Sequence, residues 1–131
     1  MIFLDTSAVY ALADRRDIHH QTAVARFNAI MATGEELLTH SYLILECITL
    51  LQARLGLSPA LRFARDASAF EIEWVDKALH EAGIHRLERA VKRQLSLVDH
   101  ISFLVMKRRN LTTAFAFDSD FKTAGFQLFE T

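Results

Sequence analysis

An α/β fold, a three-layer α/β/α sandwich around a mostly parallel sheet of about five strands, is predicted by three observations. Short apolar runs alternate with longer stretches of helical periodicity, the pattern of βα units. Hydrophobic residues make up 51% of the 131-residue chain, enough for one buried core. One proline, four glycines and the lack of any repeat or Ser/Gly-rich stretch leave no linker, so a single domain over residues 1–131 is expected.

The elements follow in order. The apolar run Met1 to Leu4 is stopped by Asp5 and predicts a strand over 2–5. Helices are expected at 6–13 and 19–32, then a strand at 36–39. Residues 41–55 form a helix that is apolar on most sides, through Leu43, Ile44, Leu45, Cys47, Ile48, Leu50 and Leu51. Gly56 suits its end, and Ser58 followed by Pro59 reads as an N-cap and first-turn pair for a helix over 59–66. A strand at 70–75 and a helix at 76–92 come next. Ser96 and Asp99 have capping-box spacing and open a helix over 97–109 with Leu97, Val98, Ile101, Phe103, Leu104 and Val105. Strands at 113–117 and 127–129 complete the sheet. Trp74, Phe63, Phe70, Phe115 and Phe117 are expected in the core.

A net charge of -1 and a pI near 6.6 do not identify a partner, because clustering of charge matters more than its sum. The start MIFLDTS lacks a basic n-region, and no segment approaches membrane-spanning length, so no membrane association is expected. Solitary Cys47 excludes an internal disulfide and a cysteine-rich zinc site, fits a reducing cytoplasm, and reads as a small packing group. The six histidines are dispersed, and adjacent His19 and His20 project differently from a helix, which argues against a histidine metal site.

Parallel sheets place ligand sites at the carboxyl ends of their strands, which directs attention to Asp5 and Asp118. Glu46 lies within one largely apolar helix and Asp99 opens another, where uncompensated burial is costly. Four converging carboxylates repel one another and raise their own pKa values unless a cation neutralises them. Oxygen ligands without Cys or clustered His suit Mg²⁺ or Mn²⁺. Each acid also has a plainer reading. Asp5 with Thr6 and Ser7 caps a helix; Glu46 shares a solvated stripe with Tyr42 and Thr49; Asp99 serves Ser96's capping box; Asp118 and Asp120 form an Asx turn.

Taken together, the segments Leu4-Asp5-Thr6-Ser7-Ala8, Asp17-Ile18-His19-His20 with Ala23, Leu45-Glu46, Ser96-Leu97-Val98-Asp99 and Phe117-Asp118-Ser119-Asp120-Phe121 resemble, in order and over nearly the whole length, the PIN domain. The likeness is strongest to toxin nucleases of VapBC-type toxin/antitoxin pairs. It implies a metal-dependent endoribonuclease in which Asp5, Glu46, Asp99 and Asp118 are the catalytic, metal-binding acids. Asp120 would be auxiliary, and Thr6 or Ser7 would place a hydroxyl near metal or phosphate. Ala116 departs from the family, which often carries Thr or Ser two residues before its last acid. The resemblance further implies in-line hydrolysis leaving a 5′-phosphate and a 3′-hydroxyl, an RNA substrate, an antitoxin partner and a homodimer.

Two basic runs are candidate RNA contacts or merely solvated helix surface: Arg86, Arg89 and Arg93 on one helix, and Lys107-Arg108-Arg109 at the end of another. Two other functions compete: an RNA-processing nuclease of the same family without an antitoxin, and a nonenzymatic RNA- or protein-binding module on a degenerate nuclease fold.

Overall fold

The computed structural model describes residues 1–91 and 94–130. Its elements are β1 (Ile2–Leu4), α1 (Thr6–Ala13), α2 (His20–Ala32), β2 (Leu37–His40), α3 (Ser41–Leu55), α4 (Leu57–Asp66), β3 (Glu71–Glu73), α5 (Lys77–Arg89), α6 (Leu97–Arg108), β4 (Thr113–Phe115), α7 (Asp120–Thr123) and β5 (Gln127–Leu128), with a 3₁₀ turn over Ala67–Ala69. The strands pair in parallel in the order β3-β2-β1-β4-β5. This is the predicted α/β/α sandwich, with every pair parallel.

Central β1 is buried along its length, as is β2, because helices cover both faces of a parallel sheet. Phe3 packs near Phe121 of α7, which meets Phe103 of α6 edge-on at 5.2 Å between centroids. Parallel β1 and β4 send their carboxyl ends, Asp5 and residues 116–118, to the same edge of the sheet, where the Asp5 N–H is bonded to the Phe115 carbonyl.

Four of the five strands are shorter than expected and β2 is shifted by one residue; at β1 and β4 the last residues leave the ladder to do other work. Asp5 caps α1, and residues 116–118 lead from β4 toward α7. Helix α4 starts at Leu57 rather than at residue 59. Gly56, at φ 104°, both ends α3 and precedes α4, so Ser58 lies in the first turn instead of capping it. Pro59 fits there because first-turn N–H groups have no intrahelical acceptor. Asp76 is the N-cap of α5, its carboxylate accepting from the Leu79 N–H at 2.8 Å. That helix ends at Arg89; residue 92, where it was expected to end, lies outside the described residues. The four-residue α7 was not predicted, being too short to show a period.

Phe115 is buried, and Phe63, Phe70 and Phe117 pack half-buried against the core. Trp74 corrects the expectation: it is 70% exposed, just past the end of edge strand β3. Cys47 is buried as expected, and burial pushes its thiol up to about 12. Among the described residues, no helix is long and apolar enough to cross a membrane.

Candidate acidic site at the carboxyl edge of the sheet

Asp5 ends β1, is 5% exposed, and caps α1: its Oδ2 accepts the Ser7 N–H at 3.1 Å and the Ser7 hydroxyl at 2.6 Å. Burial is the main cause that raises its pKa from 3.8 to about 6; the Ser7 bonds oppose the rise, and the charge of Asp99 adds to it. Ser7 Oγ in turn accepts the Phe117 N–H at 2.9 Å, which ties Asp5 to the end of β4.

Glu46 projects from α3 half-buried, and its Oε1 accepts the Thr6 hydroxyl at 2.7 Å. The Thr6 oxygen also takes a long bond of 3.7 Å from the Cys47 thiol. Thr6 and Ser7 thus donate their hydroxyl protons to Glu46 and Asp5, holding each acid in place.

Asp99 completes the predicted capping box: its Oδ2 accepts the Ser96 N–H at 2.9 Å and the Ser96 hydroxyl at 3.2 Å, while its own N–H meets Ser96 Oγ at 3.3 Å. Asp118, half-buried, makes the predicted Asx turn by accepting the Asp120 N–H on Oδ1 at 2.9 Å. Burial raises the Asp118 pKa first, with the Asp120 and Asp99 charges adding to it. The plainer readings of Asp5, Asp99 and Asp118 are all present as hydrogen bonds, and they hold the acids where they are.

The charge of Asp99 therefore adds to the upward shifts of both Asp5 and Asp118, and Glu46 is bonded to Thr6, the neighbour of Asp5. Among the described residues, no cation forms an ion pair with these four acids, and no three acidic, His or Cys side chains form a cluster that would hold a metal ion. Each carboxylate is instead engaged by its own hydrogen-bond donor: Asp5 by Ser7, Asp99 by Ser96 and Asp118 by the Asp120 backbone, all close in sequence, and Glu46 by the distant Thr6. Ala116, fully buried, brings no hydroxyl to the site.

The basic runs lie differently. Arg89 is exposed, but Arg86 is half-buried with its guanidinium carbon 5.8 Å from the Phe103 centroid; Arg93 lies outside the described residues. Lys107, Arg108 and Arg109 lie at the far end of α6 from Asp99, about 12 to 15 Å along the axis at the α-helical rise. Arg109 is there engaged with Glu71 at 3.6 Å.

Two further groups escaped the sequence reading. His40, fully buried, accepts the Leu43 N–H on Nδ1 at 3.1 Å, capping α3. Its Nε2 meets Ser102 Oγ of α6 at 2.9 Å, so it joins the two helices that carry Glu46 and Asp99. Burial depresses its pKa to about 4 and keeps it neutral. The second group is Phe117 with His19 and Arg26. His19 belonged to a noted motif, but nothing local linked it to the end of β4.

The family model described as PIN domain matches residues 2–127. The 23S rRNA-specific endonuclease VapC20 of Mycobacterium tuberculosis, found in two strains, is 35% identical over 128 residues, covering 96% of this chain and 95% of the relative. The crystal structure of VapC20, described as a sarcin-ricin loop cleaving toxin, superposes with a TM-score of 0.87 at 33% identity over the whole of both chains. FitAcB from Neisseria gonorrhoeae (TM-score 0.68, 16% identity, 99% of this chain and 97% of that one) and PAE2754 from Pyrobaculum aerophilum (0.63, 24%, 97% and 87%) share the fold. A family model spanning nearly the whole length, and a relative alike in both sequence and structure, show that this chain belongs to the PIN-domain family.

Proposed function

We propose that the chain is a metal-dependent endoribonuclease and the toxin of a toxin/antitoxin pair. The observation that carries this reading is buried Asp5 at the carboxyl end of central β1, held by Ser7 and without a cationic partner among the described residues, with Glu46 bonded to the next residue, Thr6. Likeness to VapC20 supports RNA as the substrate, and a structured ribosomal RNA as the first one to try.

The residues suit a hard divalent cation. Asp5 is a buried carboxylate without a cationic partner among the described residues, and the surrounding donors are oxygens. Asp5, Asp99 and Asp118 would hold Mg²⁺ or Mn²⁺ with Glu46. Such a cation supplies charge neutralisation at the phosphate and a lowered pKa for water.

Ser7 fixes the direction of Asp5, and the Asp120 backbone fixes that of Asp118. Glu46, aimed by Thr6, would orient the attacking water and take its proton; in-line attack at phosphorus breaks the P–O3′ bond, and the departing 3′ oxygen takes a proton from solvent, giving a 5′-phosphate and a 3′-hydroxyl. Exposed Arg89 adds positive charge for the RNA backbone, together with Arg93. The reading includes one domain over residues 1–131, a cytoplasmic location, an antitoxin and a homodimer. Leu45, Leu57 and Leu61, exposed on α3 and α4, support a protein-covered surface.

The test is cleavage of a mixed cellular RNA pool by protein freed of co-purifying partners, with Mg²⁺, with Mn²⁺ or with chelator, beside Asp5→Asn and Asp99→Asn. Discrete cuts that need both metal and the acids are expected. Full metal-dependent cleavage by both variants would overturn the assignment of the site.

A further inference from the structure

Phe117 directly precedes Asp118, and its N–H is bonded to the Ser7 hydroxyl that holds Asp5, so the residue is anchored two hydrogen bonds from the buried acid. Two side chains from the start and middle of the α2 region pack on its ring. The His19 imidazole stacks at 4.5 Å between centroids and 12° between planes, and the Arg26 guanidinium carbon lies 5.2 Å from the ring centroid. His19 is exposed and Arg26 half-buried. Among the described residues, neither imidazole nitrogen of His19 and no guanidinium nitrogen of Arg26 has a protein partner, and Arg26 Nε is buried without one.

A guanidinium beside an acidic site would ordinarily pair with a carboxylate. Arg26 is instead held by an aromatic ring, with its planar fork of donors uncommitted, the arrangement suited to a phosphate. His19 is a flat ring pinned by Phe117 and open to solvent, which suits stacking of an unpaired base. Four acids repel a polyanion, so a nearby fixed cation is what lets the RNA backbone approach them.

We propose that His19 and Arg26, mounted on Phe117, form the subsite for the nucleotide next to the cleaved bond, Arg26 holding its phosphate and His19 stacking on its base. This deepens the nuclease reading and rests on it.

The test is binding of a fluorescein-labelled single-stranded RNA of mixed sequence, by anisotropy, to Asp5→Asn protein alone and with Arg26→Gln, Arg26→Lys, His19→Ala or Arg89→Ala added. Removing Arg26 should weaken binding about five- to tenfold and lower the slope of log affinity against log salt by about 0.7, the value for one single-strand phosphate. Arg26→Lys should restore the slope, and His19→Ala should lower affinity without changing it. Arg26→Gln removes the charge while keeping a polar planar end group, and circular dichroism checks that each variant is folded. Unchanged affinity and slope in folded Arg26→Gln and His19→Ala, or no RNA binding by the Asp5→Asn parent, would overturn the subsite. Failure of the nuclease reading shows separately, as absent cleavage by the unmutated protein.

Discussion

Replacing Asp5 by Asn should stabilise the metal-free protein at neutral pH while abolishing cleavage. Burial raises the Asp5 pKa from 3.8 to about 6, so the folded state holds this proton more tightly than the unfolded chain does. The sign follows: stability from this group is complete below about pH 3.8, is lost as pH rises toward about 6, and stays lost above it. At about 1.36 kcal/mol per pH unit, the gap amounts to about 3 kcal/mol of destabilisation at neutral pH, as an order of magnitude. Asn has the same shape and can still accept from Ser7, but its buried NH₂ needs a partner, which takes back about 1 kcal/mol. The net gain of about 2 kcal/mol corresponds to roughly 8 °C in Tm for a chain of this size. Thermal unfolding with chelator, at pH values between about 4 and about 7.5, reads both the gain and its disappearance in acid. Saturating Mg²⁺ should reverse the difference by stabilising the unmutated protein, by about 2.7 kcal/mol at a hundredfold excess over Kd. An Asn variant no more stable than the unmutated protein at neutral pH in chelator, or a gain that persists unchanged in acid, would refute the reasoning.

Ser7→Ala should cost about 1 to 3 kcal/mol, because the Phe117 N–H loses its acceptor and Asp5 its shortest hydrogen bond; urea denaturation measures it, and unchanged stability would contradict the bridging role. The same change removes a bond that favours the Asp5 carboxylate, so the acid limb of the cleavage profile should move to higher pH. Gly83→Ala should destabilise by about 1 to 3 kcal/mol despite alanine's better helix propensity, because the added Cβ drives into Ile101 where α5 packs on α6. A more stable variant would show that α6 yields easily.

Much of the local structure around the candidate acids was legible because its signals are local. A strand broken by a carboxylate at Asp5, and the Ser96 to Asp99 capping box, are hydrogen-bond patterns closed within four residues. The same holds for the Asx turn at Asp118. The alternation of apolar runs and helical periods likewise implied a parallel sheet before any pairing was known. One misplaced boundary arises where a single residue serves two elements, as Gly56 does between α3 and α4.

Sequence alone thus determined the fold class and the local hydrogen bonds that orient Asp5, Asp99 and Asp118, since side-chain chemistry and short-range spacing specify these. Only tertiary structure decided the strand order and which hydroxyl serves which acid: Thr6 reaches Glu46 across 40 positions, and Ser7 reaches Phe117 across 110. It also turned Arg86 inward over Phe103, left Trp74 in solvent at the sheet edge, and set His19 and Arg26 on Phe117. These outcomes depend on which surfaces meet when the sheet closes against its helices: periodicity marks that a face is buried, but not which distant segment covers it.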